Sequence, residues 1–225
     1  MKAICKKIPR TLLFLGLAGS GKSTQADLIC NPCEGENIST GDLARNERKN
    51  KTKLGKMADK YMEKGLLIPD KVIHKILRAQ LTKFNRKKLW AFTGTVRTTN
   101  QIPMFDETLA VFNRELDKVV FLELTDESII NRLSKRRFCP KCNTNYHPDY
   151  KKSKKDGICD KDEEKLIQRE DDKPDIIRTR IEVERKVIEP VLSEYERRGI
   201  LLRINGEPSI EEIHKVLVKR LADEG

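Results

Sequence analysis

The sequence predicts an α/β fold, a doubly wound five-stranded parallel sheet built on a P-loop with helices on both faces. Three observations carry this. Short apolar runs recur along the chain, segments of helical periodicity separate them, and a complete phosphate-loop motif joins the first run to the first helix.

The first run, Thr11–Leu15, leads into Gly16-Leu17-Ala18-Gly19-Ser20-Gly21-Lys22-Ser23, and Thr24–Ile29 follows as an amphipathic segment. A weaker strand is expected at Asn37–Ser39, and further buried strands at Leu89–Phe92, Val119–Leu124 and Ile200–Ile204. Pro69 suits the first position of a helix before Asp70–Lys83, and Asp126 suits an N-cap for Glu127–Lys135. A long helix is expected from Pro174 to Arg198, with Pro190 as a kink and Gly199 as its stop. Ser209-Ile210-Glu211-Glu212 is a capping box for the last helix. Two stretches break the alternation. Asn46–Gly65 is polar and helical in tendency, and Phe138–Ile167 is rich in Lys, Asp, Cys and Pro without apolar periodicity. The second needs something other than a hydrophobic core to hold it.

The match to G-x-x-x-x-G-K-[ST] is complete, and so is its strand-loop-helix context. Glycines let backbone N–H groups curl around a β-phosphate, and the helix N-terminus adds positive potential. Gly19, Ser20, Gly21, Lys22, Ser23 and Thr24 are therefore candidate triphosphate ligands. Lys22 would reach the β- and γ-phosphates, and Ser23 would face the Mg²⁺ side.

Charged residues make up 36% of the chain, and 46 Lys+Arg against 35 Asp+Glu leave a net +11. The lysines are spread along the chain and aromatics are only 5%, so the charge reads as a solvated surface around a phosphate site and no specific nucleic-acid partner is expected. Ile8–Leu17 is broken by Pro9 and Arg10 and lacks the length of a membrane span, so a cytoplasmic protein is expected. In that setting the six cysteines are expected as thiols or metal ligands, including Cys30 and Cys33 of a second C-x-x-C.

Cys139-Pro140-Lys141-Cys142 and Cys159-Asp160-Lys161-Asp162 are two ligand pairs of spacing two, separated by sixteen residues. Each pair can form a knuckle, and three thiolates with one carboxylate close a tetrahedral site suited to structural Zn²⁺. Metal binding would then supply the folding free energy of the Phe138–Ile167 insertion. His147 is a rival to Asp162 as fourth ligand.

These residues resemble the adenylate kinase family, in particular the bacterial type with zinc in its lid. Beyond the P-loop, extended by Thr24-Gln25, the likeness includes Ile38-Ser39-Thr40-Gly41-Asp42-Leu43 with Arg45, Gly65 to Asp70, Arg132, Arg136-Arg137 and Tyr146-His147. Its most specific part is Leu166-Ile167-Gln168-Arg169-Glu170-Asp171-Asp172-Lys173-Pro174, with Arg180 eleven residues after Arg169. The resemblance implies a monomeric ATP:AMP phosphotransferase that uses ATP, AMP and ADP with Mg²⁺. It also implies a core of residues 1–38, 69–130 and 169–225, an AMP-binding segment at 39–68 and a zinc lid at 131–168. Thr40, Arg45, Leu66, Leu67, Ile68, Gly94, Thr95, Val96, Arg97 and Gln101 would form the AMP site, with Gln101 reading the adenine edge. Arg132, Asn145, Tyr146 and Pro208 would contact the donor nucleotide. Lys22, Arg97, Arg136, Arg169 and Arg180 would surround the phosphates.

The chain also departs from the family. Thr93-Gly94-Thr95-Val96-Arg97 stands where the family usually has Asp-Gly-Phe-Pro-Arg, so the Asp that normally holds water on Mg²⁺ is absent and Asp42 is left as a second holder. Ala18 and Ser23 replace the more usual Pro and Gly of the family's loop. The altered 93–96 segment leaves open another nucleoside monophosphate kinase or a GTP-preferring donor site. From other classes, a non-catalytic nucleotide binder and a zinc-knuckle nucleic-acid binder remain as alternatives.

Overall fold

The computed structural model describes residues 5–64 and 66–223. Gly65, part of the expected AMP-binding segment, and Met1–Ile4 lie outside the described residues. The main sheet contains β1 (Thr11–Leu15), β2 (Glu36–Ser39), β3 (Trp90–Thr93), β4 (Lys118–Glu123) and β7 (Leu201–Asn205), all parallel in the order β2-β3-β1-β4-β7. Each strand begins within one residue of its predicted run. A two-stranded antiparallel ladder, β5 (Arg137–Phe138) and β6 (Asn145–Tyr146), stands apart from it.

Eight helices connect the described strands: α1 (Lys22–Cys30), α2 (Thr40–Lys49), α3 (Lys53–Met62), α4 (Asp70–Leu81), α5 (Gln101–Val111), α6 (Asp126–Lys135), α7 (Pro174–Arg197) and α8 (Ile210–Asp223). The two-residue period of β1 divides the core. Leu13 and Leu15 pack with α4, α5 and α7 through residues such as Leu77, Phe105 and Leu192. Leu12 and Phe14 pack on the other face with α1 and α8 through Ile29 and Leu217. Strands covered on both faces read as unbroken apolar runs, which makes them visible in the sequence. Their carboxyl ends all face one edge, where the loops after β1, β2, β3 and β7 meet.

Two predicted helix starts shift by one residue. Asp126 is the first helical residue of α6, and the cap is Thr125, whose hydroxyl accepts the Ser128 N–H at 3.3 Å. Pro69 precedes α4 in an extended conformation, with Asp70 as the first helical residue. The Ser209–Glu212 box forms as expected: Ser209 Oγ accepts the Glu212 N–H at 3.2 Å and Glu212 Oε2 accepts the Ser209 N–H at 3.0 Å. Helix α7 continues through Pro190 to Arg197, and Gly199 ends it at φ 70°.

The Asn46–Gly65 stretch contains the end of α2 and all of α3, which join the start of α4 around Ala44, Ala58, Val72 and Ile76. Gly55 permits the α2–α3 approach, since a Cβ there would lie 2.2 Å from the Glu47 carbonyl oxygen. The Phe138–Ile167 stretch holds β6, the end of β5 and three bridges, Phe138 to Ile167, His147 to Lys151 and Ile158 to Lys165. Its only buried cluster is Cys139, Tyr146, Cys159 and Leu166, among the described residues.

Not all six cysteines are the thiols or metal ligands expected of them. Cys5 and Cys33 form a disulfide, with Cα atoms 5.3 Å apart, whereas Cys30 remains a buried thiol. The residues before β1 return along the end of α1 and bring Cys5 against Cys33, a pairing that spacing cannot reveal. Burial pushes the Cys30 thiol up to about 12, so it is inert as a thiolate. The cross-link spans 28 residues, which restricts the unfolded chain by about 3.5 kcal/mol. Reduction with dithiothreitol is expected to lower the melting temperature by roughly 7–14 °C. Cys5→Ser should melt at the reduced temperature with or without reductant, and identical melting of all forms would show that the link adds no stability.

Candidate active site

The P-loop turns between β1 and α1 at the carboxyl edge of the sheet. Gly16 adopts φ 138°, and a Cβ there would sit 2.6 Å from Ser20 Oγ and 2.8 Å from the Leu122 carbonyl oxygen, so no other residue fits. Lys22 Nζ donates to the carbonyl oxygens of Gly16 and Leu17, each at 2.7 Å, and lies 3.3 Å from Ser20 Oγ. The ammonium is thus held at the mouth of the loop. Part of the side chain stays open to the cleft, but burial of the ammonium pushes its pKa down to about 7, against an opposing pull from Glu184. Arg97, Arg180 and Arg136 push it in the same direction as burial.

One cleft brings together residues from remote parts of the chain. Its walls include Gly19 to Thr24 of the loop, Thr40 and Arg45 of α2, Leu66 to Ile68, Gly94, Thr95, Arg97 and Gln101. Arg132, Arg136, Asn145 and Tyr146 line it from α6 and the 137–167 insertion, Arg169 and Arg180 from around α7, and Pro208 from the loop after β7. All the sequence-selected nucleotide residues meet there except Val96, which is buried in the core with Ile102 and faces a smaller cavity behind the loop.

Carboxylates hold the arginines in place. Arg136 Nε and Nη2 donate to Asp172 at 2.7 and 2.5 Å, and Arg169 Nε and Nη2 donate to Asp171 at 2.9 and 2.7 Å. Arg180 Nη1 donates to Asp171 Oδ2 at 3.1 Å, and Arg97 Nη1 donates to Glu184 Oε1 at 2.6 Å. Arg45 is bonded to Asp42. Burial and the Arg169 charge push the Arg136 pKa down to about 10, so the guanidinium still carries its proton near neutral pH. Burial alone would raise the Asp171 carboxyl, but Arg169 and Arg180 override it and hold it far below the usual range. Sequence reasoning gives Asp171 and Asp172 no role beyond membership of a motif, and it misses Glu184 entirely. An acidic residue in the apolar stripe Ile177, Ile181, Glu184, Ile188 was the available signal.

Where α2 meets the 94–97 turn, Thr40 Oγ1 and Thr95 Oγ1 are 2.8 Å apart. Gln101 Oε1 accepts the Arg97 N–H at 2.6 Å, and its Nε2 donates to Asp70 at 2.6 Å, so this amide braces the 94–97 turn against α4. Elsewhere in the cleft, Arg132 donates to the Gly206 carbonyl oxygen at 2.9 Å and lies 5.4 Å from the Tyr150 ring centre. Thr93 is buried, with its hydroxyl 3.5 Å from Ser23 Oγ, so the threonine that replaces the family's Asp falls beside the loop's hydroxyl. Asp42 lies outside the cleft lining and is committed to Arg45.

Cys139, Cys142, Cys159 and Asp162 offer ligand atoms that all lie within 4.8 Å of one another. Cys142 Sγ is 3.7 Å from Cys159 Sγ, and Asp162 Oδ2 is 3.3 Å from Cys139 Sγ and 3.7 Å from Cys159 Sγ. These are the edges of a tetrahedron about a metal bound at about 2.3 Å to sulfur and about 2.0 Å to oxygen. The residues therefore fit a metal. His147 is not among them; its Nδ1 accepts the Asp149 N–H at 3.1 Å and its ring lies 4.6 Å from that of Tyr150. No described helix is long and apolar enough to cross a membrane.

The sequence model of one family, adenylate kinase, matches residues 14–200. An adenylate kinase of Staphylococcus epidermidis is 39% identical over 202 residues, covering 90% of this chain and 94% of its own. One from Caldicellulosiruptor bescii is 37% identical over 213 residues, 95% of this chain and 99% of its own.

The lowered Lys22 pKa has a measurable sign. The unfolded chain keeps this proton up to about 10.5, so burial of Lys22 costs stability below pH 7, and that cost fades as pH rises from 7 toward 10.5. A triphosphate bound against the ammonium would restore the proton. Calorimetric titration with ATP at pH 8, in buffers of different ionisation enthalpy, should show uptake approaching one proton that vanishes in Lys22→Met. Equal uptake in both proteins would refute the assignment.

Proposed function

The chain belongs to the adenylate kinase family, and on that premise we propose how its own residues carry reversible phosphoryl transfer from Mg-ATP to AMP, giving two ADP. The observation that supports this reading best is the convergence of the P-loop with Arg45, Arg97, Arg136, Arg169 and Arg180 on one cleft. So many fixed cations suit a triphosphate and a monophosphate held end to end, and a single nucleotide would not need them.

In this reading the loop amides of Gly19 to Thr24 and the Lys22 ammonium hold the β- and γ-phosphates of the donor. Arg132 and the Pro208 loop flank its base, with Asn145 and Tyr146 closing from above. Thr40, Arg45, Leu66 to Ile68, Gly94, Thr95, Arg97 and Gln101 hold AMP; Val96 supports that turn from the core. Arg136, Arg169 and Arg180 stand at the junction, where charge spreads over the transferred group. The acceptor phosphate is ionised near neutral pH, so no residue has to remove a proton. Catalysis is then alignment and charge neutralisation.

Residues 39–68 act as the AMP-binding segment and 131–168 as the lid, moving against a core of 1–38, 69–130 and 169–225. Closure excludes water, which would otherwise compete as acceptor. Zn²⁺ is the metal we assign to Cys139, Cys142, Cys159 and Asp162, as a clasp for a lid with little apolar core. Mg²⁺, when bound with ATP, neutralises charge on the phosphates. Ser23 would hold it, with Thr93 offering only a neutral hydroxyl and Asp42 tied to Arg45. The chain works as a monomer in the cytoplasm, where its nucleotides are supplied. There the thiol pool would keep Cys5 and Cys33 reduced, and nothing in the cleft depends on their link.

A coupled assay should show ADP formed from ATP and AMP, faster than with GTP as donor or with CMP or UMP as acceptor. No ADP from ATP and AMP would overturn the reading, and a GTP preference would overturn the donor assignment. Thr93→Asp should lower the Mg²⁺ concentration that gives half-maximal rate; an unchanged Mg²⁺ titration would refute the account of Thr93. Metal analysis should find about one Zn²⁺ per chain, and its removal by a chelator should lower the melting temperature and the activity together. A metal-free chain with full activity would remove zinc from the proposal.

A further inference from the structure

Glu184 is the one carboxylate on the otherwise apolar buried stripe of α7, which runs Ile177, Ile181, Glu184, Ile188. It is 7% exposed. An isolated charge at such a depth is strongly unfavourable, so its partners show what it is for. It has two, from separate parts of the chain. Oε2 accepts the Ala18 N–H of the P-loop at 2.7 Å, and Oε1 accepts from Arg97 Nη1 at 2.6 Å. A cavity of about 20 Å³ behind the loop is bordered by Lys22, Gly94, Arg97 and Glu184, so the carboxylate faces the donor lysine as well.

Ala18 makes the first of these bonds possible. The family usually has proline at this position of the loop, and proline has no N–H to donate. The bond to Glu184 therefore requires a residue other than proline at position 18, and Ala18 and Glu184 form a matched pair that joins α7 to the loop.

We propose that Glu184 is a positioning residue for the transfer, tying the first turn of the P-loop and the Arg97 guanidinium to one rigid point on α7 so that donor and acceptor phosphates are aligned. This rests on Arg97 being an AMP-phosphate ligand. The charged groups facing Glu184 are Lys22 from the loop, Arg97 from the turn after β3 and Arg180 from its own helix. Burial alone would raise its carboxyl pKa, but Arg97, Arg180 and Lys22 together hold it below the usual range, so it stays an anion. It also supplies a negative charge near Lys22, in a chain whose Thr93 stands where the family usually has an aspartate.

Glu184→Gln separates the two bonds. The amide oxygen can still accept from Ala18, while the charge that steadies Arg97 is lost. The KM for AMP should rise about tenfold, the loss expected for one charge-assisted hydrogen bond, while the KM for Mg-ATP changes less than twofold. Ala18→Pro removes only the loop bond and should reverse the split, raising the KM for Mg-ATP more than that for AMP. Arg97→Lys tests the underlying reading: if it leaves the KM for AMP unchanged, Arg97 is not an acceptor ligand. If Arg97→Lys raises that KM but Glu184→Gln leaves both constants within twofold, Glu184 is only a buried structural pair and the proposal falls. Should Glu184→Gln not fold, Glu184→Asp keeps the charge but is one methylene too short to reach both partners. It should raise the KM for AMP in the same sense, and an unchanged value there overturns the proposal equally.

Discussion

Gathering Lys22 and six arginines around one cleft creates a repulsion that the fold has to contain. Five of these guanidiniums are answered by carboxylates: Asp42 for Arg45, Glu184 for Arg97, Asp172 for Arg136, and Asp171, itself part of the cleft wall, for Arg169 and Arg180. These acids orient the planar forks and reduce the cost of holding them close together. They do not cancel the cleft's purpose. Polyphosphates bring more negative charge than these acids supply, and they meet cations whose geometry is already set.

The placement of the acids explains much of the chain's architecture. Asp171 and Asp172 sit in a short 3₁₀ turn, Glu170–Asp172, directly before α7, and Glu184 lies on α7 itself. This helix and the turn that leads into it therefore present counter-charges to arginines from the turn after β3, from the end of α6 and from the helix's own first turns. The helix also packs its apolar stripe against the sheet through Val191, Leu192 and Tyr195. Core packing and site electrostatics thus share a single rigid element, which limits how far the cationic cluster can drift.

The segments that flank the cleft are held in other ways. The α2–α3 pair has a small apolar core of its own, while the 137–167 insertion buries little besides its cysteines, Tyr146 and Leu166. Tyr146 connects the two roles of that insertion: its hydroxyl lies 3.4 Å from Cys159 Sγ and accepts the Asp160 N–H at 2.8 Å, while its residue also lines the cleft. The insertion meets the α2 segment directly, where Asn143 Nδ2 donates to Asn46 Oδ1 at 2.9 Å and Lys49 donates to the Lys141 carbonyl oxygen at 3.2 Å. Both bonds reach the cysteine knuckle or its next residue, so order in that knuckle bears on how the two flanking segments meet.

By itself, the sequence determined the features encoded in local pattern. The strands could be read because burial on both faces leaves continuous apolar runs, the P-loop because backbone geometry demands glycine at fixed spacing, and the cysteine clasp because ligand pairs lie close in the chain. Motif order carried the arginines into one site. The expected cap at Asp126 and the expected first helical position at Pro69 slipped by one residue because a terminal position depends on the backbone angle of its neighbour. Only the tertiary structure decided the long-range pairings. Cys5 with Cys33, Glu184 with Ala18 and Arg97, and Gln101 with Asp70 each join residues whose separation in sequence says nothing about their distance in space. A buried charge or thiol finds its partner through the packing of whole elements, and that information is absent from any local window of the chain.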